Sequence, residues 1–175
     1  MVSHLGKPYS VRPEAAIEDN LKALSFMGFE VAPEKDFISS RKTFFFNDDL
    51  LIGIACPSQS MKEYFYKNAD SDEMLFIHKG SGRCKTMYGT IDFEYGDYVV
   101  IPRGTVYQLE FDTNDNKILF IESHSPIYTP KRYRNEFGQM LEHSPFCERD
   151  FRLPYNLETH DERGEFEIRI KKRGL

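Results

Sequence analysis

The sequence predicts an all-β barrel of the double-stranded β-helix, or jelly-roll, kind, carrying an irregular C-terminal arm. Between residues 43 and 123, short apolar runs alternate with clusters of Asn, Asp, Gly and Ser, the rhythm of strands and turns. Aromatics are abundant, with 15 Phe and 10 Tyr but no Trp, and such side chains suit strands packed across a barrel interior. A chain of 175 residues is long enough for one full core and short for two. The expected organisation is an N-terminal arm over 1–40, the barrel over 41–125, and an irregular arm over 126–175 that ends in a strand.

The strands are expected at residues 43–46, 50–56, 63–66, 73–78, 83–88, 90–93, 98–101, 106–111 and 117–123. Turn chemistry separates them at 47–49, 80–82, 95–97 and 112–116, where Asn, Asp, Ser and Gly tolerate positive φ or bond their own backbone. Gly80-Ser81-Gly82 reads as a hairpin turn, because a strand and not a helix follows it. Pro102 sits just past a strand, where its missing N–H breaks no ladder bond, and Gly104 permits the corner after it. Before the barrel, Ile17, Leu21 and Leu24 keep helical spacing while Leu24, Phe26 and Gly28 also suit a strand, so residues 15–29 read as a short helical turn followed by a strand. After Ser125 four prolines, at 126, 130, 145 and 154, mark an arm that wraps the barrel irregularly. At its end Phe166, Ile168 and Ile170 alternate with Glu167, Arg169 and Lys171, a half-buried strand with no later partner in the sequence. Its edge needs cover from another segment or subunit.

Bulk properties narrow the function. Net charge is −5, with 40% hydrophobic and 29% charged residues. That balance disfavours nucleic acid, which needs a basic face, and no apolar run approaches the ~18 residues of a membrane span. The first 13 residues lack a continuous apolar core, so a secretory signal is not expected and the cytoplasm is the expected location. Cys56, Cys84 and Cys147 are odd in number and widely spaced, and read as reduced, partly buried thiols.

Glu73, Gly80, Gly96, Pro102 and Gly104 stand at the spacings of the two motifs of cupin barrels. A metal-binding cupin reads G-x5-H-x-H-x(3,4)-E-x6-G and then G-x5-P-x-G-x2-H-x3-N. Here the first pair of histidines is replaced by Tyr66-Lys67-Asn68-Ala69, the later histidine by Tyr107 and the asparagine by Phe111. An iron, manganese or zinc centre needs about three converging imidazole or carboxylate ligands, and of that set only Glu73 remains. His78 lies five residues on, so alternation puts it on the opposite face. An inward Glu73 is expected to bond Tyr107 or a backbone group, since a lone buried carboxylate is costly. Glu73 and Tyr107 are therefore the candidate residues of a vestigial pocket, with no metal ligand and no catalytic residue assigned.

Other constellations read more simply as structure. His143 and Cys147 are four apart, but Ser144-Pro145 intervenes and disfavours a shared helix. His160-Asp161-Glu162 reads as a solvated turn, since neighbours on a strand point apart. Lys131-Arg132-Tyr133-Arg134 mixes base and aromatic, yet in an acidic chain it is expected to pair with carboxylates such as Glu136 and Glu142.

Three longer stretches carry a specific resemblance: residues 64–73 (YFYKNADSDE), 96–104 (GDYVVIPRG), and the arm with PKRYRN at 130–135, GQ at 138–139, LEHSPFCERD at 141–150 and LETHD at 157–161. Together they resemble the homogentisate 1,2-dioxygenase family in its bacterial form, from about Tyr9 to the end of the chain. The resemblance implies a cytoplasmic enzyme of tyrosine and phenylalanine catabolism. It would open the ring of homogentisate with O2 and Fe(II) to give maleylacetoacetate, in a homo-oligomer of subunits with two cupin-type halves. Two His and one Glu of the C-terminal half would hold the iron, so no ligand carries over to this chain and no cofactor is expected in it. The expected partners are that half and neighbouring subunits, and the expected role is structural. The alternative is a stand-alone, metal-free cupin that holds a small aromatic ligand between Glu73 and Tyr107. A third reading is a metal enzyme using His78, His124 or His143.

Overall fold

A computed structural model describes residues 7–14, 23, 25–157 and 162–175. Ten strands are described: β1 (Arg41–Phe46), β2 (Leu50–Ala55), β3 (Tyr64–Asn68), β4 (Asp72–Lys79), β5 (Gly82–Thr86), β6 (Gly89–Phe93), β7 (Tyr98–Ile101), β8 (Val106–Phe111), β9 (Lys117–Ser123) and β10 (Glu167–Lys171). They form two five-stranded sheets, in the orders β1-β2-β9-β4-β7 and β10-β3-β8-β5-β6. All pairings are antiparallel except β10 with β3, which is parallel. The core lies between the sheets, where Leu75, Ile77, Val99, Ile101, Ile118 and Phe120 of the first face Tyr64, Tyr66, Cys84, Tyr107 and Leu109 of the second. The strands β3, β4, β7, β8 and β9 supply alternate residues to that core, as the pleat requires.

Six of the nine expected barrel strands differ from those observed by one to two residues at an end, and β7, β8 and β9 match at both. The connection at Gly80-Ser81-Gly82 differs in kind. β4 belongs to one sheet and β5 to the other, so this turn is a corner between sheets and not a hairpin. Gly80 takes φ 103° there, and a Cβ on it would fall 1.9 Å from Asn116 Oδ1. Gly96 and Gly104, at φ 93° and 88°, turn the chain into and out of the β7 corner. The motif glycines thus have a backbone role independent of any metal.

The N-terminal expectation is corrected in part. Residues 15–22 and 24, which would carry its helical turn, lie outside the described residues. The strand expected to follow is absent among the described residues: Gly28–Glu30 forms a single 3-10 turn, and Phe26 stacks on Phe44 at 4.6 Å. The Gly28 break prevails over strand propensity here. A tight turn at Asp36–Ser40, in which Asp36 Oδ1 accepts the Ser39 N–H at 2.8 Å, then seats Phe37 fully buried in the core.

The arm after Ser125 is irregular, with short 3-10 turns at Lys131–Tyr133 and Glu148–Asp150. Tyr155 exchanges both backbone hydrogen bonds with Thr90 and so caps the β6 edge. The final strand finds its partner far back in sequence, at β3. Its orientation inverts the expected one: Arg169 and Lys171 face the barrel, while Phe166, Ile168 and Ile170 are exposed.

Candidate functional site in the barrel interior

The barrel encloses a charged cluster drawn from five strands. Glu73 enters from β4, and both its oxygens are engaged: Tyr107 Oη of β8 donates to Oε2 at 2.9 Å, and Arg41 Nη2 of β1 donates to Oε1 at 2.5 Å. Arg41 Nη1 donates to Glu122 Oε1 of β9 at 2.7 Å. Lys171 of β10 donates to the other oxygen of Glu122. Glu73, Glu122 and Tyr107 are almost wholly buried, and the Arg41 side chain is 12% exposed. The guanidinium lies within 4.5 Å of the Phe37 ring centroid and 4.7 Å of that of Phe120. Its positive charge is thus held between two carboxylates and against aromatic faces.

Each charge is kept by its neighbours. Burial works against the Arg41 charge, but Glu73 foremost, with Tyr107, Tyr66 and Glu122, holds the guanidinium above its ordinary range. Burial likewise opposes the Glu122 carboxylate, and Arg41 and Lys171 outweigh it, so Glu122 titrates below its usual range. Burial and then Glu73 raise the Tyr107 phenol, which stays protonated as the donor the hydrogen bond needs. The thiol of Cys84, beneath the cluster, is pushed up to about 12 by burial and the Glu73 charge.

Glu73 and Tyr107, the two residues of the expected vestigial pocket, are therefore brought together, and Arg41 is the third member of their contact. Neither lines the cavity of about 750 Å³ near Ser58–Lys62 or that of about 470 Å³ near Arg12 and His124. His78 lies on the outer face of β4, half-buried. His124 Nδ1 meets Ser71 Oγ at 2.6 Å at the barrel mouth, and His143 is exposed in a turn of the arm. Cys147 is buried, with its backbone N–H donating to Asp150. His160 and Asp161 lie outside the described residues. The basic run packs on rings and not on Glu136 and Glu142: Arg132 lies over Tyr133 and Arg134 over Tyr128.

The donor set does not fit a resident Fe(II). Among the described residues no three His, Cys, Asp or Glu side chains converge as a metal would require, and the motif glutamate is already saturated by Arg41 and Tyr107. Sequence reading missed Arg41, Glu122 and Lys171. Alternation in β9 (Ile118, Phe120, Glu122) placed one acidic residue in line with two core positions, which was the available signal for Glu122. Arg41 precedes the first apolar run and Lys171 sits on the polar face of β10, so neither carried one.

Two sheets of this order, with Glu73 and Tyr107 at the two motif positions, define a cupin barrel whose ligand positions hold an ion network. More specifically, residues 28–174 match the family model for the N-terminal region of homogentisate 1,2-dioxygenase, and the chain belongs to that family. It is 42% identical over 136 residues to "Putative dioxygenase SSO1533" of Saccharolobus solfataricus, a match spanning 78% of this chain and 35% of that protein. It is 33% identical over 76 residues to a homogentisate 1,2-dioxygenase of Bradyrhizobium diazoefficiens, spanning 43% of this chain and 17% of the relative. The match thus takes in about a third of the first relative's length and less of the second. Among solved structures, a cupin superfamily protein from Desulfitobacterium hafniense aligns with TM-score 0.47 at 11% identity, covering 63% of this chain and 100% of that one.

Proposed function

We propose that this chain is the scaffolding N-terminal barrel of a homogentisate 1,2-dioxygenase-like protein, in which Fe(II)-dependent ring opening of homogentisate belongs to a separate iron-binding half. The observation that carries this reading is the Arg41 guanidinium bridging Glu73 and Glu122. It supplies internally the positive charge that a metal ion supplies in a ligand-bearing cupin. Family membership over residues 28–174 supports the dioxygenase context. The barrel's work in this reading is packing and positioning, against the catalytic half and neighbouring subunits, in the cytoplasm. A metal-free aromatic-binding cupin is less favoured, because Arg41, Phe37 and Phe120 occupy the space beside Glu73 that such a ligand would need.

The test is anaerobic reconstitution of the purified chain with Fe(II), followed by homogentisate and O2. No maleylacetoacetate absorbance is expected from this polypeptide alone, and its appearance overturns the assignment.

A further inference from the structure

The cavity of about 470 Å³ at the barrel mouth has the size of a small-molecule pocket. Two segments far apart in sequence build its rim. Val11 N–H donates to Gly174 O at 3.0 Å, and Arg12 Nη2 donates to Arg173 O at 3.2 Å. Gly174, at φ 70°, lets the Arg12 side chain lie against the backbone, since a Cβ there would fall 2.5 Å from Arg12 Cγ and Nε. Asp70 fixes the same turn, its two oxygens accepting the N–H groups of Arg173 and Gly174 at 2.7 Å and 3.0 Å.

The lining holds more donors than acceptors. Both oxygens of Asp70 are taken by the rim, and those of Glu122 by Arg41 and Lys171. Only Asp48 of the lining acids stands outside these bonds. Against them are Arg12, Lys171, Arg173 and His124. A guanidinium carries five N–H donors and an ammonium three, so one backbone carbonyl does not exhaust Arg12, nor one carboxylate oxygen Lys171. His124 Nδ1 lies 2.6 Å from the buried Ser71 Oγ. With that hydroxyl donating, the ring proton sits on Nε2, a further donor on the side away from Ser71. Beneath Asp70 and Ser71, whose N–H groups Asn68 Oδ1 accepts, Asn68 Nδ2 is buried with no hydrogen-bond partner among the described residues. Unspent donors around a cavity call for a ligand that brings acceptors. The lining also has an apolar share in Val11, Phe46 and Leu50, all exposed.

We propose that this cavity binds a small carboxylate with an apolar body, its carboxylate at Arg12 and Arg173 and its body against Phe46 and Leu50. Guanidinium groups match the planar carboxylate two bonds at a time. An inorganic phosphate would use the same donors but leave Phe46 and Leu50 bare, and a neutral apolar molecule would cover the rings but leave the donors unpaired. The site is distinct from the Glu73-Tyr107 contact, which does not line it. It also goes beyond the dioxygenase reading, since binding here holds or fails whatever that family's ring chemistry requires.

Isothermal titration calorimetry of the 175-residue chain with phenylacetate, phenylacetamide and inorganic phosphate tests it. Saturable phenylacetate binding with Kd below ~1 mM is expected, with the amide and phosphate weaker by about tenfold or more. Arg12→Gln and Arg173→Gln are each expected to weaken phenylacetate by about tenfold or more with unchanged circular dichroism, and Arg134→Gln, on the arm, to leave it unchanged. Arg173→Gln keeps the backbone bonds of the rim and reads the charge alone should Arg12→Gln unseat it. No saturable phenylacetate binding, equal affinity for the amide or for phosphate, undiminished binding in Arg173→Gln, or loss of binding in Arg134→Gln overturns the proposal.

Discussion

The Tyr107 phenol donates a 2.9 Å hydrogen bond to Glu73 Oε2 across the barrel, joining the two sheets at the positions where the cupin motifs place metal ligands. The other oxygen of Glu73 goes to Arg41, and Arg41 in turn reaches Glu122. An acid that would have bound a metal ion is instead neutralised by a side chain of the same fold. The energetic consequences of that exchange are open to direct measurement.

Arg41→Met removes the cation and leaves Glu73 and Glu122 buried, with Tyr107 still donating to the first and Lys171 to the second. Breaking a buried pair from one side costs about 3–5 kcal/mol, so a large fall in the urea midpoint is expected. Arg41→Lys restores the charge but not the fork that spans two carboxylates, and recovers only part of the loss. Adding Glu73→Gln and Glu122→Gln to Arg41→Met recovers more than Arg41→Lys does, because no buried charge is then stranded.

Tyr107→Phe keeps the ring packed against Tyr66 at 5.6 Å and deletes only the donor to Glu73. Hydrogen bonds to a charged acceptor contribute roughly 1.5–3 kcal/mol. A loss of that order in equilibrium denaturation is expected, with native circular dichroism retained.

Acid sensitivity follows from Glu122. Its folded carboxyl titrates below its ordinary value of 4.5 because Arg41 and Lys171 outweigh burial, so the unfolded chain binds the proton first. The stabilisation is present above pH ~4.5 and is lost as pH falls through the lower folded value. Stability measured from pH 6 down to 3 is expected to drop steeply below about 4.5, and the drop is expected to shrink in Glu122→Gln.

Alkaline sensitivity has the opposite sign. Cys84 is raised from 9.0 to about 12 by burial and Glu73, so the folded state keeps its proton while the unfolded chain releases it. Stability from this thiol is complete below pH 9 and declines as pH rises toward 12. Cys84→Ala is expected to flatten that decline, and in the native chain at pH 8 Cys84 is expected to resist alkylation until denaturant is added.

Gly53→Ala probes the floor of the site. A Cβ there would stand 2.3 Å from Lys42 O and 2.7 Å from the Phe120 ring on which Arg41 rests. Overpacking of this kind costs about 1–3 kcal/mol, and a lowered melting temperature is the expected result.

The sequence by itself determined the all-β class, the bounds of the three strands β7, β8 and β9, and the turn positions of Gly80, Gly96 and Gly104. These follow from period-two alternation and turn chemistry, which act within a few residues of chain. It also carried the family, through the long stretches of the arm. Tertiary structure decided what local pattern cannot encode: which sheet a strand joins, as at the Gly80 corner, and which face of β10 turns inward. By its own alternation β10 should bury Ile168 and Ile170, but Glu122 at the barrel mouth draws in Lys171, and the apolar side is left outward. Arg41 and Lys171 reach Glu122 over 81 and 49 residues of chain. Compensation of buried charge is a property of the folded interior, and only the fold shows which cation answers which acid.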